Sequence, residues 1–207
     1  MSLSPWLERI RAADIAGFHL INESLRNPLF DSLMPFVSDK WNFFAPLSLF
    51  VLYVLLFRPR RDKILAVSAV AVVLLADITN SVLKELFQRI RPCHTLAHAH
   101  LLKGAVCTNS FSFPSNHASN MFAIATVGWL ALGRWRWGLL AVAVAYSRVY
   151  VGVHYPGDTL AGALWGTGLG WICICSVARS RPEWFTAEPP AGVPRAGLNP
   201  AGGAHTR

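Results

Sequence analysis

Five apolar runs, Trp41 to Phe57, Ile64 to Leu83, Ala118 to Leu132, Leu139 to Val153 and Thr159 to Val177, constrain this chain more than any other feature. Runs of this kind satisfy their backbone polar groups internally as helices, and they suit the hydrocarbon of a bilayer. Composition agrees, because the 207 residues are 53% hydrophobic and only 14% charged, away from the usual soluble globule. The formal charge of +8 does not indicate nucleic acid, since the basic residues cluster in short groups beside the apolar runs. Residues 58–63, Arg134 with Arg136, and Arg179 with Arg181 are such groups, and arginine-rich loops favour the cytoplasmic side. The expected fold is all-α, a polytopic membrane helix bundle, with its opposite end periplasmic or extracellular.

Residues 1–40 lack the pattern of a signal peptide, so the N-terminus is expected to be retained. Ile10 to Leu25 and Leu29 to Val37 mix charges with Phe, Leu and Ile at helical spacing and suit amphipathic helices in the interface. The first becomes a tilted span if the bundle buries Asp14 and Glu23, which leaves the expectation at five or six transmembrane helices. Three units follow: an interfacial segment over 1–40, a membrane-embedded domain over 41–178, and a Pro-, Gly- and Ala-rich disordered cytoplasmic tail over 179–207.

Polar residues inside the apolar runs are costly and mark the interior of the bundle. Asp77, Asn80, Ser81 and Lys84 form one stripe, which continues through Gln88 to Arg91 if the helix persists. Asp77 reads as a structural tie between polar neighbours. Pro114 and Ser115 form a helix start with His117 in its first turn. Such an end offers free N–H groups and the positive end of the macrodipole to an anion, though it is also ordinary capping chemistry. Further on stand Ser147-Arg148 and then His154-Tyr155-Pro156-Gly157-Asp158. Singly, Lys84, Arg91 and Arg148 are interfacial cations and His154 an interface histidine. Together they supply two histidines, a carboxylate and three cations, the parts for phosphoryl transfer without a metal.

These three segments resemble the signature of the type 2 phosphatidic acid phosphatase (lipid phosphate phosphatase) family, itself similar to bacterial acid phosphatases and vanadium haloperoxidases. The family pattern is Lys, six residues, Arg-Pro; then Pro-Ser-x-His; then Ser-Arg, five residues, His, three residues, Asp. Lys84, Arg91 and Pro92 fit the first part, Pro114, Ser115 and His117 the second, and Ser147, Arg148, His154 and Asp158 the third. Asn116 stands where glycine is commonest. The resemblance implies that Lys84, Arg91 and Arg148, with Ser115, Asn116 and nearby backbone N–H groups, bind phosphate. It also implies that His154 attacks phosphorus to give a phosphohistidine, Asp158 orients His154, and His117 protonates the leaving group and then activates water.

Loop histidines His94, His98 and His100 lie near Cys93 and Cys107 at spacings able to hold zinc, but no carboxylate or second close pair completes a site. No metal or cofactor is expected. In an oxidising compartment Cys93 and Cys107 can join across a short loop, worth about 3 kcal/mol in the chain-entropy model; the sequence leaves this open. Cys173 and Cys175 suit core packing. Gly162, Gly166 and Gly170 make a small-residue helix face, for packing within the chain or against a second copy, so oligomeric state is undecided. The expected activity is hydrolysis of a lipid phosphomonoester or diphosphate of undecaprenyl diphosphate, phosphatidylglycerophosphate, phosphatidic acid or lipid A type, in a bacterial plasma membrane. A lipid phosphotransferase using the same site, or a non-enzymatic phospholipid transporter, are the rival readings.

Overall fold

The computed structural model describes residues 4–185. Its α-helices are α1 (Pro5–His19), α2 (Pro28–Ser38), α3 (Trp41–Phe57), α4 (Arg60–Phe87), α5 (Pro92–Thr95), α6 (Asn116–Leu132), α7 (Trp137–Tyr150) and α8 (Pro156–Ser180). No strand occurs among the described residues, so the all-α expectation holds.

α6 is the hub, lying between α4, α7 and α8. Its contact with α8 is close because the glycine face is turned inward. A Cβ on Gly166 would lie 2.0 Å from the Ser119 carbonyl oxygen, and one on Gly162 would lie 2.5 Å from that of Ser115. The small-residue stripe therefore packs within the chain. Below it an apolar cluster of Leu65, Val72, Ala123, Val127, Ala131 and Ile174 joins α4, α6 and α8. Gly133, with φ of 65°, ends α6 in the left-handed conformation that glycine adopts without a Cβ penalty. Arg61 donates to the Ala131 carbonyl at 3.0 Å, so the two basic loops share one end of the bundle. A cation at a helix C-terminus also complements its dipole.

Helix length and composition by themselves support two or three spans, fewer than the five or six expected. Taken singly, α8 and the stretch from α4 through α5 are long and apolar enough to cross a membrane, and α2 with α3, bent by 48°, makes a third if counted as one span. α6 has 17 residues and α7 has 14. At 1.5 Å per residue these reach about 26 and 21 Å, short of a core of about 30 Å. Both helices stop early because the chain turns into the motif loops at Ser115 and Val151. Five or six spans are thus not reached by helix length.

The N-terminal segment differs in detail from its expected form. α1 runs into a π-helical turn at Leu20–Ser24, which aims Asn22 inward. Fully buried Asn22 donates to the carbonyls of Tyr150 at 2.7 Å and His100 at 2.9 Å and accepts the His100 N–H at 2.8 Å. Glu23 stays exposed beside His19, whereas Asp14 is largely buried. Residues 179–185, assigned above to the tail, instead complete α8 and form a 3-10 turn, with Phe185 packed on the apolar cluster. The rest of that segment lies outside the described residues.

Candidate functional site

All three motifs meet at the end of the bundle opposite the basic loops. α4 stops at Phe87 because Gln88 takes a left-handed conformation, φ 48°. The polar stripe therefore does not continue helically to Arg91, and the guanidinium is delivered from a loop. Lys84, in the last turn of α4, donates to the carbonyls of Phe111 and Pro114, both at 2.8 Å. Arg91 donates to the Ser110 and Val153 carbonyls at 2.8 and 2.9 Å and to the ring nitrogen Nε2 of His154 at 3.1 Å. A Cys93–Cys107 disulfide ties the start of this loop to the stretch just before Ser110, Phe111 and Pro114. The pairing that the sequence left open is present. Cys93, His94 and Cys107 have their potential ligand atoms within 4.8 Å of one another, but joined sulfurs offer no thiolate to a metal.

His154 follows a tight turn at the end of α7. Gly152, φ 89°, is required there, since a Cβ would lie 2.7 Å from the His100 carbonyl oxygen. Its turn brings His154 N–H to the Arg148 carbonyl at 3.3 Å. The imidazole is buried, with Nδ1 3.4 Å from the Asp158 carboxylate, long for a hydrogen bond. Arg91 can only donate, so Nε2 carries the lone pair and Nδ1 the proton facing Asp158. Burial, then the charges of Arg148, Arg91 and Lys84, hold this imidazole well below its ordinary range. Neutral imidazole with a free lone pair is the nucleophilic form.

Asp158 lies in the first turn of α8, where its Oδ2 also accepts the Tyr155 N–H at 2.9 Å. That bond makes it part of a capping box as well as a partner of His154. Ser115 sits at the N-cap position of α6 and donates its N–H to the Asp158 carbonyl at 3.0 Å. Contrary to the capping expectation, its hydroxyl makes no cap and is buried without a partner among the described residues. Arg148 donates to the carbonyl and hydroxyl of Ser38, and its Nε is also buried and unpartnered. Donors of this kind are normally satisfied in proteins, and a bound anion would satisfy both.

His117, one residue into α6, lies within electrostatic reach of Arg148, His154, Lys40 and Arg91. Asn116, at the non-glycine position, points its amide instead to Asp77, which also accepts from Asn120, at 2.9 and 3.0 Å. Asp77 thus ties polar neighbours, as its place on the stripe implied. Sequence reasoning missed Ser38, Lys40 and Arg89. The first two fall at the bend between α2 and α3, outside any motif, while Arg89 stood in plain view two residues before Arg91.

Among known proteins, the model of the PAP2 superfamily matches residues 65–182. The chain is 32% identical over 160 residues to the bacitracin transport permease protein BcrC of Bacillus licheniformis, covering 74% of this chain and 75% of the relative. It is 34% identical over 164 residues to the undecaprenyl-diphosphatase of Sulfolobus acidocaldarius, covering 77% and 75%. A transmembrane PAP2-type phosphatidylglycerolphosphate phosphatase from Bacillus subtilis, known from its crystal structure, superposes with a TM-score of 0.68 over 83% of this chain and 87% of the other. At 24% identity that likeness speaks for the fold. These similarities and the apolar helices define a membrane lipid phosphatase, a hydrolase of phosphoester or diphosphate bonds. The chain belongs to the PAP2 superfamily.

Proposed function

We propose that this phosphatase removes phosphate from a lipid diphosphate or phosphomonoester through a phosphohistidine on His154. The observation that carries the reading is the polarised His154 ring, with Arg91 at Nε2 and Asp158 beside Nδ1, next to buried donors that lack an acceptor. Lys84, Arg91 and Arg148 clamp the nonbridging oxygens, assisted by the Ser115 hydroxyl and the backbone N–H groups opening α6, that of Asn116 among them. The Nε2 lone pair of His154 then forms a bond to phosphorus as the bond to the leaving oxygen breaks, with Arg91 turning from the ring to the phosphate. His117 gives its proton to that oxygen; a dianionic phosphate beside it favours the charged ring. In the second half His117 takes a proton from water, the water oxygen bonds to phosphorus, and the P–N bond breaks to return His154. Asp158 stabilises the imidazolium throughout.

The bundle lies in a bacterial plasma membrane as five or six spans, with the site periplasmic or extracellular and the basic loops cytoplasmic. The short α6 and α7 are consistent with a site sunk below the outer interface. Undecaprenyl diphosphate is the first candidate substrate; phosphatidylglycerophosphate, phosphatidic acid and lipid A present the same chemistry. The test is phosphate release by purified protein in detergent from each of these lipids, with and without EDTA. Release that survives chelation from at least one supports a metal-free hydrolase. Release abolished by EDTA contradicts it, and transfer of the phosphate to a second lipid in place of water makes the enzyme a phosphotransferase.

A further inference from the structure

We infer that Arg89 is a positioning residue for Asp158 and that Asp14, on the first helix, holds Arg89 in place. This rests on the phosphohistidine reading above and deepens it. Arg89 reaches Asp158 Oδ1 through NH1 at 2.8 Å and Asp14 through NH2, while its guanidinium stacks on the Tyr155 ring 4.0 Å from the centroid. Planar, two-armed recognition of carboxylates is what guanidinium geometry supplies and lysine lacks. With Oδ1 on Arg89 and Oδ2 on the Tyr155 N–H, the Asp158 carboxylate cannot rotate without breaking one of these bonds. Oδ2 is thereby kept toward His154 Nδ1.

Asp14 makes the brace continuous. Its other oxygen accepts the Gly157 N–H at 2.7 Å, in the turn that also carries Asp158, and a Cβ on Gly17 would lie 3.3 Å from Pro156. Tyr155 is fixed from its far end by the hydroxyl of Thr95 at 2.8 Å and from one side by Phe18. The N-terminal helix, read from sequence as an interfacial segment, is thus bound directly to the loop that orients the candidate nucleophile. Both terminal nitrogens of Arg89 are engaged by carboxylates, which separates it from Lys84, Arg91 and Arg148, whose partners are carbonyls, the hydroxyls of Ser38 and Ser110, and the His154 ring. Arg89 also lines a cleft of about 380 Å³ with Leu7, Ile10, Arg11 and Ile90. A headgroup contact made there would register in KM, whereas orientation of Asp158 registers in kcat.

Steady-state release is measured from whichever of the panel lipids the wild type hydrolyses, for Arg89→Gln, Arg89→Lys, Asp14→Asn, Asp158→Asn, His154→Ala and the Arg89→Gln/Asp158→Asn double variant. Arg89→Gln is expected to lower kcat about 100-fold with KM nearly unchanged, and Arg89→Lys to recover only part of it. In the Asp158→Asn background the same change is expected to cost less than about twofold, since residues acting as one unit are non-additive. A raised KM at wild-type kcat, or a full additional loss in that background, overturns the inference. If Arg89→Gln does not yield a folded protein, Asp14→Asn with and without Asp158→Asn carries the same comparison. His154→Ala with wild-type turnover defeats the phosphohistidine reading itself. Inactive His154→Ala beside fully active Arg89→Gln defeats only the role of Arg89.

Discussion

α3 and α8 are both long and apolar, yet they carry opposite relations between side chain and neighbour. Of the 17 residues of α3 only Val54 is buried, and its aromatic and leucine side chains face outward on nearly every side. α8 buries Asp158, Thr159, Gly162, Gly166, Gly170 and Ile174, while Leu160, Leu164, Trp171 and Ile172 are exposed. In water the second pattern would be inside out. With lipid outside, apolar atoms gain nothing by turning inward, so the interior collects the residues that allow close backbones or hydrogen bonds. The site grows from that interior: the α6–α8 seam ends in Ser115, Asp158 and His154.

That contrast can be broken most severely on the seam. Gly166→Leu places a side chain where even a Cβ meets the Ser119 carbonyl at 2.0 Å, and the expected result is loss of monodisperse protein on size-exclusion chromatography in detergent. Ala in the same position is the milder form; a folded, active Gly166→Leu would show the seam to be looser than described. Next in size is the phosphate clamp. Lys84→Ala or Arg91→Ala is expected to lower kcat/KM by about 10²- to 10³-fold with the fold retained, read from phosphate release alongside thermal unfolding.

Smaller effects sharpen the comparison further. Replacing Cys93 and Cys107 by Ser removes the cross-link from the segment that leads into Ser110, Phe111 and Pro114, with an expected stability loss of about 3 kcal/mol, checked by denaturant unfolding with and without reductant. Gln88→Gly relieves a left-handed non-glycine residue and is expected to raise stability by about 1 kcal/mol. Leu49→Ala, on the outward side of α3, is expected to change stability by no more than about 0.5 kcal/mol. An effect on α3 as large as that on the seam would mean that α3 covers something other than lipid.

How much of this was legible beforehand follows the same division. The apolar runs announced α3, α4 and α8, and the spacing of polar residues along α4 announced an inward face with Asp77 at its centre. The motif residues could be read because their chemistry is unusual beside apolar sequence. The end of α4 could not, since nothing in Gln88 requests a left-handed turn; tertiary contacts of Arg89 and Arg91 impose it. Asp14 gave an ambiguous signal, because a carboxylate in an amphipathic helix faces water as readily as a half-buried arginine 75 positions along the chain. Ser115 looked like a cap by its position alone, and its hydroxyl is held free of the helix end. The apolar run Ala118 to Leu132 lies wholly within α6, which begins two residues earlier at Asn116, whereas α7 begins at Trp137 and ends at Tyr150, three residues before the apolar run Leu139 to Val153 does, because the chain turns there toward His154.

The central claim is that phosphate passes through His154. It is tested most directly by rapid acid-free quenching of the enzyme during turnover of a lipid carrying labelled phosphate, followed by mapping of the label. The account predicts an alkali-stable, acid-labile label on His154 that forms before phosphate is released and is absent from His154→Ala. Label on any other residue, or undiminished phosphate release by His154→Ala, would contradict it.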